Sequence, residues 1–378
     1  MSHRGIRLAL ITFLLAVQGA WLQAQTLRQE VLTAALEHPW ALAFLPDGGF
    51  LVTERPGRMR VVEADGRVSA ALQGLPPIDA GGQGGLLDIL LDSDFARNRT
   101  LYFCFAEPGK GGNSSALARA KLSADRTRIE NLTIIFSQKP KVSSRAHFGC
   151  RIVESLPDAS GSAMLFLTLG DRYSRMDDAQ TLDNHHGKIV RIHKDGRIPA
   201  DNPFVARAGA LPEIWSYGHR NVQGATLSPG GTLWAHEHGP QGGDEINLPQ
   251  AGRNYGWPAI TYGENYGGGR IGDGIFAKVG MEQPLHYWVP SIAPSGMTFL
   301  SSERYGRGWV GNLFVGSLKF GYLNRIELSE PFKGKVVREH KLLADLRERI
   351  RDVRQGPDGL LYVLTDSPRG RLIRLLPE

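Results

Sequence analysis

Two stretches at opposite ends of this chain carry nearly the same phrase. Trp40 to Leu45, Pro46-Asp47-Gly48 and Phe50 to Thr53 form the first copy, and Asp352 to Gln355, Pro357-Asp358-Gly359 and Leu361 to Thr365 the second. In each, apolar residues flank a tight turn. Pro presets φ at such a turn, Asp bonds its own backbone and Gly accepts positive φ, so the phrase reads as strand, turn, strand. Weaker copies turn at Asp92, Asp158, Pro229 and Glu303, and helical periodicity is almost absent between them.

A third strand follows several of these pairs, at Gly57 to Val62, Gly187 to Ile192, Leu323 to Leu328 and Gly370 to Leu375. Six units spaced about 45 to 75 residues apart predict radial repetition of small antiparallel sheets. The expected fold is therefore all-β, a six-bladed β-propeller of four-stranded antiparallel blades. A pair of β-sandwiches is the structural alternative, and it accounts less well for the regular return of the turn.

That geometry has a consequence for function. The first strand of a blade lines the central channel and the second returns antiparallel to it. Residues just before first strands therefore share a face with residues just after second strands. Gln83, His147, Arg220, Ser291, Arg349 and Arg351 fall in the former class, and Asp171, Glu237 to Pro240 and Lys319 in the latter. Polar and charged groups from separate blades are thus expected at one mouth of the channel, where a site would form.

The chain begins with His3, Arg4 and Arg7, an apolar run from Leu8 to Val17, and Leu22-Gln23-Ala24. This pattern predicts a signal peptide over residues 1–24 and export to the periplasm or medium. Residues 25–378 are then one propeller domain. The apolar run is short for a bilayer span, and no later segment suits one, so no stable membrane insertion is expected. Without Arg4 and Arg7 the chain keeps 42 basic against 38 acidic residues, a net charge of +4. The basic residues are scattered, which argues against nucleic acid as a partner. The two cysteines, Cys104 and Cys150, either pair in an oxidising compartment or stand as two buried thiols. Nothing in the sequence fixes the oligomeric state.

The stretch from Glu237 to Pro258 combines carboxylates, glycines and an aromatic run. Hard cations such as Ca²⁺ take carboxylate and main-chain carbonyl oxygens, and this loop offers both. His147, with Asp171 from the same blade, has the composition of a general base and its orienting carboxylate. Arg220, with Asn221 beside it, either stabilises developing negative charge or bridges two blades. Lys319, Arg349 and Arg351 form a cationic group suited to a polyanionic ligand, and Arg favours planar carboxylates. No phosphate-cradling Gly loop opens a helix, and neither His185-His186 nor His236-Glu237-His238 has a zinc-ligand register.

With these residues placed, the chain resembles the soluble aldose dehydrogenases that use pyrroloquinoline quinone, the glucose/sorbosone dehydrogenase family. The likeness runs from about His38 to Leu375. It is carried by Gly-Gln83-Gly-Gly-Leu-Leu-Asp, His147-Phe-Gly-Cys-Arg, Glu213-Ile-Trp-Ser-Tyr-Gly-His-Arg220-Asn221, Glu237-His-Gly-Pro-Gln-Gly-Gly-Asp-Glu245-Ile-Asn, Asn254-Tyr255-Gly-Trp-Pro and Arg349-Ile-Arg351-Asp-Val-Arg. The resemblance implies a six-bladed propeller. It implies His147 as the base that takes the proton of a sugar's anomeric hydroxyl, held by Asp171, with Arg220 and Asn221 contacting the quinone. The carbonyls of Gly239 and Pro240 would ligate a catalytic calcium. Gln83, Lys319, Arg349 and Arg351 would hold the cofactor's edge and carboxylates. Glu245 and the carbonyl of Tyr255 would ligate a second, structural calcium.

The implied reaction is oxidation of the C1 hydroxyl of a cyclic aldose to a lactone, with hydride passing to the quinone and electrons onward to a dye, quinone or small redox protein. The chain departs from the family pattern at three places. Cys150 replaces a glycine after the base and is expected to crowd the sugar or alter specificity. Ala146 stands where relatives carry a polar side chain. Phe320-Gly321-Tyr322 lacks the charges common after Lys319. Two other functions fit the same frame, a calcium-dependent propeller lactonase and a non-catalytic ligand-binding propeller. The cationic trio argues against the first and the His147–Asp171 pairing against the second.

Overall fold

The computed structural model describes residues 27–378 apart from Ser160. The expected signal peptide lies outside the described residues. Six antiparallel sheets stand in a ring, with only one short α-helix, Phe95–Asn98, and four single 3₁₀ turns among the described residues.

Blade 1 holds Pro39–Phe44, Phe50–Glu54 and Arg58–Val62. Blade 2 holds Leu86–Leu91, Thr100–Gly109, Gly112–Leu122 and Ile129–Ser137. Blade 3 is Gly149–Glu154, Met164–Leu169, Lys188–His193 and Ile214–Tyr217. Blade 4 is Val222–Leu227, Leu233–Glu237, Asp244–Asn247 and His286–Trp288, and blade 5 is Pro294–Phe299, Leu313–Ser317, Leu323–Glu330 and Lys333–Leu342. Blade 6 takes Ile350–Gln355, Leu361–Thr365 and Gly370–Pro377 from the C-terminus, and its fourth strand, Leu27–Leu36, from the other end of the chain. The first strand of each blade packs against that of the next, and blade 6 against blade 1, so the ring closes.

All six expected turns join first to second strands. Blade 1 departs from the expected pattern in its outermost position. Instead of a regular fourth strand, the segment after the Glu63–Gly66 turn runs back beside Arg58–Val62. It makes one bridge, Val62 to Val68, and two main-chain hydrogen bonds, Ser69 to Val61 and Leu72 to Met59. Pairing of Leu27–Leu36 with Gly370–Pro377 closes the ring, and neither strand's sequence advertises so distant a partner.

Burial explains why the strands read as they do. The inner strands are covered on both faces; Met164–Leu169 and Phe50–Glu54, which follow them, are buried throughout, so their sequences are nearly continuous apolar runs. The outer strand Lys333–Leu342 has no buried residue and is correspondingly polar. Each fully buried Leu, Val or Ile contributes about 1.5–3 kcal/mol relative to exposure. Inside the channel the inner strands carry charge. Arg151 of blade 3 donates through Nη1 to Asp88 of blade 2 at 2.9 Å and to Asp352 of blade 6 at 3.2 Å. Arg354 bonds the same two carboxylates at 2.7 and 3.0 Å. This hub ties together strands that the chain supplies far apart.

Cys104 and Cys150 form a disulfide, with Cα atoms 5.7 Å apart, between the second strand of blade 2 and the first strand of blade 3. Both are fully buried in the hydrophobic core shared by the first three blades. The expectation that Cys150 crowds the sugar is therefore corrected: its sulfur is committed to the core.

Candidate active site

His147 lies two residues before the first strand of blade 3, on a backbone turn with φ of 51° at His147, 66° at Gly149 and 80° at Cys150. Two non-glycine residues in the left-handed region make this a strained segment, and the surroundings hold it in place. The main-chain N–H of His147 donates to Gln83 Oε1 at 2.8 Å. The Arg172 guanidinium donates to the carbonyls of Ala146 and Ser144 at 3.1 and 2.7 Å and stacks on the Phe148 ring at 3.9 Å. Arg172, which the sequence reading passed over, thus braces the loop on which Ala146 offers no side-chain support.

The imidazole of His147 is buried, with Nδ1 2.6 Å from Asp171 Oδ1. An ionised carboxylate only accepts, so Nδ1 carries the proton and Nε2 is left as the basic nitrogen. Asp171 follows the second strand of blade 3. Its Oδ1 also accepts the N–H of Tyr173 at 2.7 Å, and its Oδ2 accepts the indole N–H of Trp257 at 2.8 Å. Burial lowers the pKa of His147 below its ordinary value; Asp171 opposes this, and the charges of Arg220 and Arg172 reinforce it. The imidazole is therefore neutral at pH 7. Burial would raise the Asp171 carboxyl, but His147, Arg220 and the Tyr173 N–H outweigh it and keep the group ionised.

Arg220 and Asn221 sit just before the first strand of blade 4. Arg220 Nη1 donates to the carbonyls of His238 and Gly239 at 3.1 and 2.7 Å, while its buried Nε has no hydrogen-bond partner. Glu237 accepts the main-chain N–H of Arg220 and holds His219 Nδ1 at 2.9 Å. Asn221 Oδ1 accepts from the main chain of Gly149 at 3.2 Å, which links blade 4 to the His147 turn. Arg220, Pro240 and Trp257 share one cavity with His147 and Asp171, and Tyr173, Met176 and Tyr266 form its rim.

An adjoining cavity of about 240 Å³ occupies the channel mouth. Gln83, Asn221, Arg349 and Arg351 line it with Trp40, Leu87 and Phe148, as do Arg55 and Asp366, two groups missed in the sequence. Arg55 donates to the Gly82 carbonyl at 2.7 Å. Burial would raise Asp366, but Arg351, His38 and Arg349 outweigh that and hold its carboxyl well below the usual range. The cavity is thus less cationic than the arginines alone suggest. Lys319 does not line it; its side chain is exposed, with Nζ 5.2 Å from the Phe320 ring centre. Phe320 is itself exposed, its ring stacked 6.0 Å from that of Tyr322. Ser291 bonds Asp244 at 2.8 Å and braces the loop rather than facing the cavity.

Asp244 accepts four different groups, from Gly239, Ser291, Ile292 and Ala293, although burial raises its pKa. It therefore fixes the Gly239–Pro240 turn. Beneath that turn Glu237, Glu245, Tyr255 and Thr261 surround a small cavity. Burial, and then the charge of Glu237, push the Glu245 carboxyl well above its ordinary pKa. Asn247 bonds both glutamates, at 3.1 and 3.3 Å, and its own buried Oδ1 has no partner. A buried carboxylate from Glu237, a half-buried one from Glu245 and an orphaned amide oxygen are a donor set that a hard cation satisfies. Among the described residues no three His, Cys, Asp or Glu side chains gather as a metal site, so such a cation would depend on carbonyl oxygens as well.

The family described as Glucose / Sorbosone dehydrogenase matches residues 36–374 of the chain. The chain belongs to that family. It is 44% identical over 373 residues to aldose sugar dehydrogenase YliI of Escherichia coli K12, covering 98% of both chains. The crystal structure of the soluble E. coli aldose sugar dehydrogenase in its apo-form superposes with a TM-score of 0.87 at 43% identity, over 93% of this chain and 100% of that one. The PQQ-bound aldose sugar dehydrogenase of Streptomyces coelicolor does so with a TM-score of 0.74 at 28% identity, over 94% and 99%. This member of the glucose/sorbosone dehydrogenase family is accordingly an oxidoreductase on a six-bladed propeller. No helix among the described residues is long and apolar enough to cross a membrane.

Proposed function

We propose that this protein oxidises the C1 hydroxyl of cyclic aldoses to lactones, with pyrroloquinoline quinone as acceptor and calcium as metal. The observation that carries the reading is the imidazole of His147, locked by Asp171 at 2.6 Å and opening on a cavity next to an arginine-lined one. When bound, the quinone supplies a two-electron hydride acceptor and calcium a Lewis acid that polarises it. All other work falls to the chain.

The cavity at the channel mouth suits a flat polycarboxylate. Arg349 and Arg351 present cationic forks, Gln83 and Asn221 present amides, and Trp40 and Phe148 supply apolar faces. The carbonyls of Gly239 and Pro240 would hold the first calcium, and that of Gly239 also accepts from Arg220. Glu245 and the Tyr255 carbonyl would hold the second. Lys319, whose side chain is exposed, would reach a carboxylate of a ligand that extends outward.

In the sugar cavity Nε2 of His147 takes the proton of the C1 hydroxyl, and Asp171 stabilises the imidazolium that forms. Positioned base catalysis of this kind contributes about 10²–10⁴-fold. Arg220 brings a positive charge to the same cavity and favours negative charge developing on oxygen. Trp257 and the rim aromatics exclude water. We place the domain at residues 25–378, exported after removal of residues 1–24, with a dye, quinone or small redox protein taking the electrons.

The reading is tested by incubating protein, calcium and pyrroloquinoline quinone with glucose carrying deuterium at C1. A lactone product and a slowed rate with the deuterated sugar support it. Hydrolysis of added lactone without the quinone would replace it with the lactonase reading.

A further inference from the structure

Asp171 has two carboxylate oxygens, and only one faces His147. Oδ1 accepts the N–H groups of His147 Nδ1 and Tyr173, whereas Oδ2 accepts, among the described residues, one donor, the indole N–H of Trp257 at 2.8 Å. Trp257 reaches Asp171 from a loop 86 residues further along the chain. It is itself held on every side. Its main-chain N–H donates to the Gly218 carbonyl at 2.9 Å, and its carbonyl accepts Gln180 Nε2 at 2.7 Å. The Arg220 guanidinium lies 5.2 Å from its ring centre. The preceding Gly256 has φ of 91°, and a Cβ there would meet Ile260 at 2.1 Å, so the approach of this loop is set by backbone shape. The indole is largely buried.

We infer that Trp257 is a positioning residue for the general base, acting through the second oxygen of Asp171. A carboxylate held by one oxygen turns about its Cβ–Cγ bond. Donation to the other oxygen fixes the plane of the group and so the direction in which His147 Nε2 points. The same donation withdraws charge from Asp171 and keeps the shared proton on Nδ1 instead of the carboxylate. The loop that carries Trp257 also carries Tyr255, beside the Glu237–Glu245 cavity, so the base and that cavity share one support.

This inference rests on His147 being the base, and the experiment separates the two. Trp257→Phe keeps an aromatic ring, smaller than the indole, and removes the donor. In the enzyme loaded with quinone and calcium, kcat should fall about tenfold with KM and quinone affinity unchanged. The His147 ring titration, followed by NMR in protein without sugar, should move to higher pH, because an unshared Asp171 stabilises imidazolium more. The other groups facing His147 (Arg220, Arg172, His238 and Tyr173) are unaltered in the variant. A kcat within twofold of the native value, or a lower kcat with the titration unmoved, overturns the inference. Should the native enzyme oxidise no aldose, the functional reading fails while the titration still reports on Trp257. Should Trp257→Phe not fold, the native indole N–H resonance decides: it should shift as His147 titrates, and a flat response overturns the inference.

Discussion

Arg351 donates through Nη2 to Asp366 Oδ2 at 3.1 Å, placing a carboxylate inside the cavity built to receive an anion. The pair leaves part of the Arg351 guanidinium facing the cavity and fixes its orientation. Arg351→Ala should weaken quinone binding by at least tenfold, since a charge-assisted hydrogen bond to a ligand contributes about 1.5–3 kcal/mol. Titration of metal-loaded protein with the quinone measures this, and equal affinity would refute the assignment.

Asp366 also makes an acid-stability prediction. Its folded pKa is depressed, so its contribution to stability is present above the unfolded value of about 3.9 and lost as pH falls below it. Asp366→Asn should therefore be less stable than the native protein near pH 6, with the gap narrowing below about pH 4. Denaturant unfolding at the two pH values checks the sign.

Lowered by burial, the His147 pKa keeps the base neutral down to below about pH 6.5. The acid limb of the kcat profile should lie under that value, and raising pH through it should increase turnover. A limb centred above pH 7 would contradict the assignment of His147.

The Glu237–Glu245 cavity predicts that calcium stabilises the fold. A saturating metal at one hundred times its Kd adds about 2.7 kcal/mol. Addition of calcium to chelator-treated protein should raise the unfolding midpoint, and Glu245→Gln should shrink the rise.

Six turns and their flanking strands were enough to read the propeller from the sequence, because a Pro-Asp-Gly turn is a local signal. The convergence of Gln83, His147, Asp171, Arg220 and Arg351 was legible for the same reason: it follows from where each lies relative to a strand. Long-range pairings were not. Arg151 meets Asp352 across 201 positions, and Leu27–Leu36 finds Gly370–Pro377 across the whole chain. Nothing near Asp366, Arg172 or Trp257 in sequence marks them as partners of the site. Lys319 does fall just after the second strand of blade 5, but position after a strand fixes a face and not the direction of a flexible side chain. The disulfide was left open because two apolar contexts suit paired and unpaired cysteines alike.

The central claim is tested most directly by reconstituting the purified protein with calcium and pyrroloquinoline quinone and following aldose-dependent dye reduction. Turnover with the native protein is expected, reduced by at least about 10²-fold in His147→Ala while quinone binding is retained. Silence across a panel of aldoses, or a His147→Ala variant as fast as the native enzyme, would contradict it.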